Sequence, residues 1–166
     1  MPEFGFNEVH LMFQEKARDF AQKVLAPGAK ERCKQNRYPD EIVKQMGKEG
    51  FLGLWIPEEY GGQPGDAVML GITAEEFGKV DHAAHLPPMA AFGDAVVIEH
   101  SHPDTQREWL PRIAAGDAIP CFSITEPECG SDATALRTTA TRDGDYYILN
   151  GEKTSVTMGM QADICG

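Results

Sequence analysis

The sequence has no run of the roughly 20 apolar residues that a membrane helix requires, so no membrane span is expected. Basic residues are also scarce. Lys and Arg number 15 against 26 Asp and Glu, a formal charge of −11. An acidic chain repels phosphate backbones at long range, which argues against nucleic acid as a partner. It does not exclude a phosphate-bearing cofactor, because backbone N–H groups hold phosphates without net positive charge. Cysteine is limited to Cys33, Cys121, Cys129 and Cys165. No two have CxxC spacing and no His stands at a ligand spacing from them, so neither a metal site nor a disulfide framework is expected. Reduced thiols in a cytoplasmic protein are the expectation. The first residues, with Glu3 and Glu8 and no long apolar run, read as neither a secretion signal nor an Arg-rich transit peptide. Internal repeats and low-complexity segments are lacking too.

What is present suits a packed core. Of 166 residues, 42% are hydrophobic and 25% charged, as in globular domains. The first two thirds read as helical. Asn7 can cap a helix whose Val9, Phe13, Ala17, Phe20 and Val24 recur at steps of three and four, closed by Pro27 and Gly28. A second helix is predicted from Pro39, burying Ile42, Val43 and Met46 and stopped by Gly50. Phe51–Asp66 reads as a loop with an apolar entry. Further helices are predicted near Ala67–Phe77 and Met89–His100. A last one is capped by Asp104, with Pro111 expected to kink or shorten it and Gly116 beyond its end.

The character changes near Gly116. CFSIT (Cys121–Thr125), TTATR (Thr138–Arg142) and YYILN (Tyr146–Asn150) are β-prone, with a hairpin signal at Asp143-Gly144. TSVT (Thr154–Thr157) is predicted as a further strand. The expected fold is α+β, with an all-α domain over 1–118 followed by the opening strands of a β-domain over 119–166. Strands without closure leave unpaired edges, so the chain is expected to be a fragment of a longer protein.

The segment with the most chemistry is FSITEPECGSD, Phe122 to Asp132, followed by NGEKTSVT, Asn150 to Thr157. Thr125 ends a strand and can turn a hydroxyl toward a ligand on the sheet face. Pro127 turns the chain, Gly130 permits close backbone approach, and Ser131 adds a hydroxyl beside consecutive N–H groups. Such a set could hold a phosphorylated cofactor. On composition alone a plain turn explains it equally well.

The ordered combination says more. TEP, two residues, GSD, a DG hairpin and NG-x-K with a strand ending in Thr resembles the acyl-CoA dehydrogenase family. GFLGLWIPEEYGG, EEFGKVD at Glu75–Asp81 and the run from Trp109 to Pro127 extend the resemblance over essentially the whole chain. It implies an α-helical domain, a middle β-domain, a second helical domain beyond Gly166, and FAD as cofactor. It implies an acyl-CoA substrate, from which a carboxylate removes the α-proton while the β-hydrogen leaves as hydride to the flavin. Hydrogen bonds to the thioester oxygen make that proton removable, and the flavin carries the redox step. By the same resemblance Phe122, Ile124 and Thr125 meet the flavin ring, Thr157 supplies a second contact, and Gly130 and Ser131 lie near the FAD pyrophosphate and the CoA arm. Ser155 stands where the family usually has an aromatic residue against the flavin. A homo-oligomer is implied, passing electrons to an electron-transfer flavoprotein or similar acceptor.

His82, His85, His100 and His102 lie close in sequence and are expected to be solvated or capping. His10 is expected on a helix surface. Asp94 sits in the apolar MAAFGDAVVIEH, on one face with Ala90, Ala91, Val97 and Ile98. The plain reading is a solvent-facing or hydrogen-bonded acid. The functional one is a catalytic acid facing the acyl pocket, the usual base lying beyond Gly166. Such an acid would suit a cyclic or functionalised acyl group. Two other functions remain open at this point: a flavin oxidase or monooxygenase on the same fold, which Ser155 keeps in play, and a non-catalytic helical interaction module.

Overall fold

A computed structural model of the chain describes residues 5–35 and 37–166. Helix α1 (Glu8–Phe20) starts where Asn7 accepts a hydrogen bond from the His10 N–H at 2.8 Å. It winds on as a π-turn, Ala21–Leu25, and the chain reverses at Gly28, whose φ of 77° suits glycine. Ala17 and Phe20 are buried as the periodicity predicts, but Val9 is 58% exposed. His10 takes the inward position instead, which corrects the expectation of a surface histidine. Burial is tolerable because its Nε2 lies 2.8 Å from Asp66 Oδ2. Asp66 in turn accepts from the Met69 N–H and caps α4 (Ala67–Gly78), so one carboxylate joins two helix starts.

A short helix, α2 (Ala29–Arg32), is not foreshadowed by the sequence pattern. It delivers Arg32 to Asp81, Nε to Oδ2 at 2.8 Å, with both side chains buried. The Tyr38 hydroxyl also donates to Asp81, at 3.3 Å. Helix α3 (Asp40–Lys48) follows Pro39, buries Val43 and Met46, and ends before Gly50 at φ 81°. Phe51 then enters the core against Phe13, Phe20 and Phe77, with ring centroids 5.7, 5.1 and 4.9 Å away.

A 3₁₀ turn (His82–His85) leads into α5 (Leu86–Glu99). This helix begins three residues earlier than predicted, because Pro87 and Pro88 occupy a first turn whose N–H groups have no helical partner anyway. Helix α6 (Pro103–Ala115) is capped by His102, whose ring accepts from the Asp104 N–H at 3.3 Å. Asp104 is therefore not the cap. It lies in the first turn, where a negative charge suits the helix dipole. Pro111 does not shorten the helix: it is exposed, so the carbonyl that it leaves without a partner is on the solvent side.

The strands follow the helices. β1 (Pro120–Cys121) pairs in parallel with β4 (Ile164–Cys165). β2 (Thr139–Asp143) and β3 (Tyr146–Asn150) form the expected hairpin, with Gly144 and Asp145 as its two-residue loop. That loop sits one residue later than the Asp143-Gly144 signal. The TSVT segment is not a strand. Ser155 and Met158 adopt φ of 54° and 65°, which breaks an extended path.

The crossing of α3 and α6 rests on a missing side chain. A Cβ at Gly47 would run into the Ala115 carbonyl and come within 2.6 Å of the Gly116 N. Gly47→Ala is therefore expected to destabilise the protein by about 1–3 kcal/mol through overpacking, although alanine is the better helix former. Urea unfolding checks this, and an unchanged or raised midpoint would show that the two helices part without cost.

Candidate active site

β1 stops at Cys121, so the strand expected over Cys121–Thr125 is cut short, and Phe122–Thr125 follows as irregular chain. The Ser123 N–H donates to the Gly166 carbonyl at 3.1 Å, and the Thr154 N–H to the Thr125 carbonyl at 2.9 Å. Among the described residues the N–H groups of Phe122, Ile124 and Thr125 find no acceptor, and the Thr125 hydroxyl is uncommitted. This short segment therefore carries unspent donors.

Next to it lies a cavity of about 500 Å³. Leu86, Met89 and Ala90 of α5 and Ala74 of α4 form its apolar wall, with His85 at one side. Phe122 and Thr157 complete the lining. The ring of Phe122 packs over Gly93, where a Cβ would stand 3.5 Å from the ring atom Cγ. The fold thus brings together Phe122 and Thr157, 35 positions apart in the chain, and places Ile124 and Thr125 just beyond Phe122.

Gly130 and Ser131 are exposed and follow a turn at Pro127-Glu128, where Glu126 and Cys129 exchange backbone hydrogen bonds. A Cβ at Gly130 would meet nothing within 4 Å, so no protein atom demands glycine there. Ser155 is exposed at its positive φ and does not line the cavity.

Reading the sequence by motif overlooks Glu126, the central residue of TEP. Its carboxylate is 6% exposed and accepts from the Arg137 N–H (2.7 Å), the Thr138 N–H (3.0 Å) and Lys153 Nζ (2.9 Å). The Thr138 hydroxyl beside it, though short of good hydrogen-bond geometry, then Lys153 and the Arg137 N–H hold this carboxyl down at about 2. The available signal was the pairing of an acid in TEP with a base in NG-x-K.

Asp94 is neither solvent-facing nor hydrogen-bonded, contrary to the plain reading. It is fully buried on α5, and neither carboxyl oxygen has a partner among the described residues. Nor does it line the cavity. It points at the end of β4, where a Cβ on Gly166 would run into its Oδ1. Burial raises its pKa to about 7, offset in part by the nearby Gly166 N–H, which is itself committed to the Cys121 carbonyl and so is not a hydrogen-bond partner of the acid. The neighbouring Cys121 thiol is pushed up to about 12, by burial first and then by Cys165 and Asp94. Cys121 and Cys165 are register partners and both are free thiols. Among the described residues no three His, Cys, Asp or Glu side chains gather to hold a metal ion, and no helix is long and apolar enough to cross a membrane.

Comparison with known proteins accounts for this arrangement. The family model "Acyl-CoA dehydrogenase, N-terminal domain" matches residues 7–117, and "Acyl-CoA dehydrogenase, middle domain" matches residues 121–166. An acyl-CoA dehydrogenase of Bacillus subtilis is 35% identical over 93% of this chain and 41% of its own length. The mitochondrial short-chain specific acyl-CoA dehydrogenase of Rattus norvegicus is 34% identical over 93% of this chain and 38% of its own length. Among solved structures, a glutaryl-CoA dehydrogenase from Mycobacterium smegmatis in complex with FADH2 superposes with a TM-score of 0.88 at 32% identity, covering 96% of this chain and 42% of that one. The chain spans about two fifths of the length of the curated relatives it matches. Across its helices and the strands that follow them, the chain belongs to the acyl-CoA dehydrogenase family.

Proposed function

We propose that the full-length gene product is an FAD-dependent dehydrogenase that oxidises the α,β-bond of an acyl-CoA thioester. In this reading residues 1–118 form its N-terminal helical domain, and residues 119–166 open its middle β-domain. The observation that carries the proposal is the apolar cavity closed by Phe122 and Thr157 beside the Phe122–Thr125 segment, whose donors are unspent among the described residues. An acyl chain suits the apolar wall. A flavin, whose ring edge presents hydrogen-bond acceptors, suits the donors of Ile124 and Thr125, with the Thr157 hydroxyl at the cavity as a second contact. Ser131 and Gly130 are exposed for contact with the pyrophosphate or the CoA arm. Bound FAD supplies the two-electron acceptor. The residues of this chain orient it, shield the acyl group from water, and leave proton removal to a carboxylate elsewhere. Further parts of the proposal are a cytoplasmic homo-oligomer and reoxidation by an electron-transfer flavoprotein.

The direct test is anaerobic mixing of the flavin-loaded full-length protein with acyl-CoA thioesters. Bleaching of the flavin absorbance and turnover with an artificial electron acceptor are expected. Bleaching that is reversed only by O₂ would favour an oxidase, and no bleaching with any thioester would overturn the proposal. In the same protein Thr125→Ala is expected to weaken FAD retention or slow flavin reduction about fivefold, the equivalent of one ordinary hydrogen bond. Unchanged flavin content and reduction rate would remove Thr125 from the site.

We assign Asp94 the role of a buried acid that carries its proton over most of the acidic range, sealed from the cavity in this conformation. Its folded pKa of about 7 stands above the ordinary carboxyl value, so the folded state keeps a proton that the unfolded chain releases. The native state is favoured most below about pH 4 and loses that advantage as pH rises through about 7. Asn cannot ionise. Asp94→Asn is therefore expected to gain roughly 2–4 kcal/mol of stability relative to wild type between pH 4 and pH 8. Urea unfolding at both pH values measures this, and a difference that does not change with pH would refute it.

A further inference from the structure

Lys153 makes two contacts at once. Its Nζ lies 2.9 Å from Glu126 Oε1 and donates to the Ile124 carbonyl at 3.0 Å. That carbonyl belongs to the same peptide unit as the Thr125 N–H, which finds no acceptor among the described residues. A cation on a peptide oxygen draws electron density from the unit and makes its N–H a stronger donor, the cooperative effect seen in chains of hydrogen bonds. The ammonium is held in place because Glu126 is itself fixed by the Arg137 and Thr138 N–H groups. The flanking backbone is pinned as well. The Thr125 carbonyl accepts from the Thr154 N–H at 2.9 Å, and the Glu126 N–H donates to the Cys129 carbonyl at 3.0 Å.

We propose that Glu126 and Lys153 are positioning residues: Glu126 anchors the Lys153 ammonium on the Ile124 carbonyl, and the polarised peptide gives Thr125 an N–H tuned toward the reduced flavin. The proposal rests on the FAD-dependent reading above. Reduced flavin carries more negative charge at its ring edge than oxidised flavin, so a strengthened donor favours the reduced form. The pair thereby raises the tendency of the bound cofactor to accept electrons. It also couples the two hydroxyl-bearing stretches, since Lys153 and Thr154 lead directly to Thr157.

The test is the midpoint potential of the flavin in the full-length protein, read by spectroelectrochemistry for wild type, Lys153→Met, Lys153→Arg and Glu126→Gln. Lys153→Met is expected to weaken binding of reduced relative to oxidised flavin about tenfold, a fall of about 30 mV for a two-electron couple. Lys153→Arg should restore most of it. Glu126→Gln separates positioning from simple charge. Through-space electrostatics alone would raise the potential when an anion is removed, whereas loss of the anchor lowers it as Lys153→Met does. An unchanged potential in flavin-replete Lys153→Met, or opposite shifts in Lys153→Met and Glu126→Gln, would overturn the proposal. Should Glu126→Gln fail to fold, the contrast between Lys153→Met and Lys153→Arg decides, with equal potentials counting against it. A wild-type protein that takes up no FAD overturns the functional reading, which this measurement reports separately.

Discussion

A carboxylate taken out of water has to be met by donors, and this acidic chain is organised around three such meetings. Glu76, with a side chain 3% exposed, receives Arg18 from α1 and Lys79 from its own helix end, so α1 is held against α4. Burial pushes the Glu76 carboxyl up, but the two cations more than offset that and leave it below its ordinary value. Asp81 receives Arg32 and Tyr38, which fastens the reversal after α1 to the entrance of α5. Glu126 receives two backbone N–H groups and Lys153, which fastens the segment after β1 to the base of the hairpin. Such pairs are weak net contributors to stability but costly to break, because a lone partner stays buried. Their value here is geometric: each joins segments far apart in the chain.

The cavity is a product of these joints. Its wall comes from α4, which Glu76 ties to α1, and from α5, whose entrance Asp81 ties to the reversal after α1. Its other side comes from Phe122 and Thr157, carried by segments that meet through Glu126 and Lys153. Asp94 is the exception that tests the rule. With no cation in reach among the described residues, it avoids the cost of an unpaired charge by holding its proton instead.

How much of this was legible in the sequence follows from the range of each interaction. The start of α1 at Asn7, the extent of α4 and the β2–β3 hairpin rest on signals within a few residues, and those were read. The inward turn of His10 depends on Asp66, 56 positions away, and TSVT fails as a strand because Ser155 takes a positive φ. Neither is visible from local pattern. The ordered motif from TEP to NG-x-K identified the family. It could not show that its own acid and base pair with each other, because that contact joins residues 27 positions apart. The burial of Asp94 was only half legible: its apolar neighbours admitted an inward-facing acid beside the plain reading of a solvent-facing or hydrogen-bonded one, and nothing local revealed the lack of a partner.

The parallel pairing of β1 with β4 means that everything from Phe122 to Asp163 is an excursion whose two feet stand side by side. Near those feet the excursion is cross-linked again by the Thr154 N–H and by Lys153. Its far tip, the exposed loop at Gly144-Asp145, is linked to neither. Length can therefore vary at the tip while the feet keep their spacing, since an exposed turn absorbs inserted residues at small entropic cost. Related sequences can drift in hairpin length without disturbing Thr125 or Thr157, and the same tip is a natural place to splice in a tag or reporter.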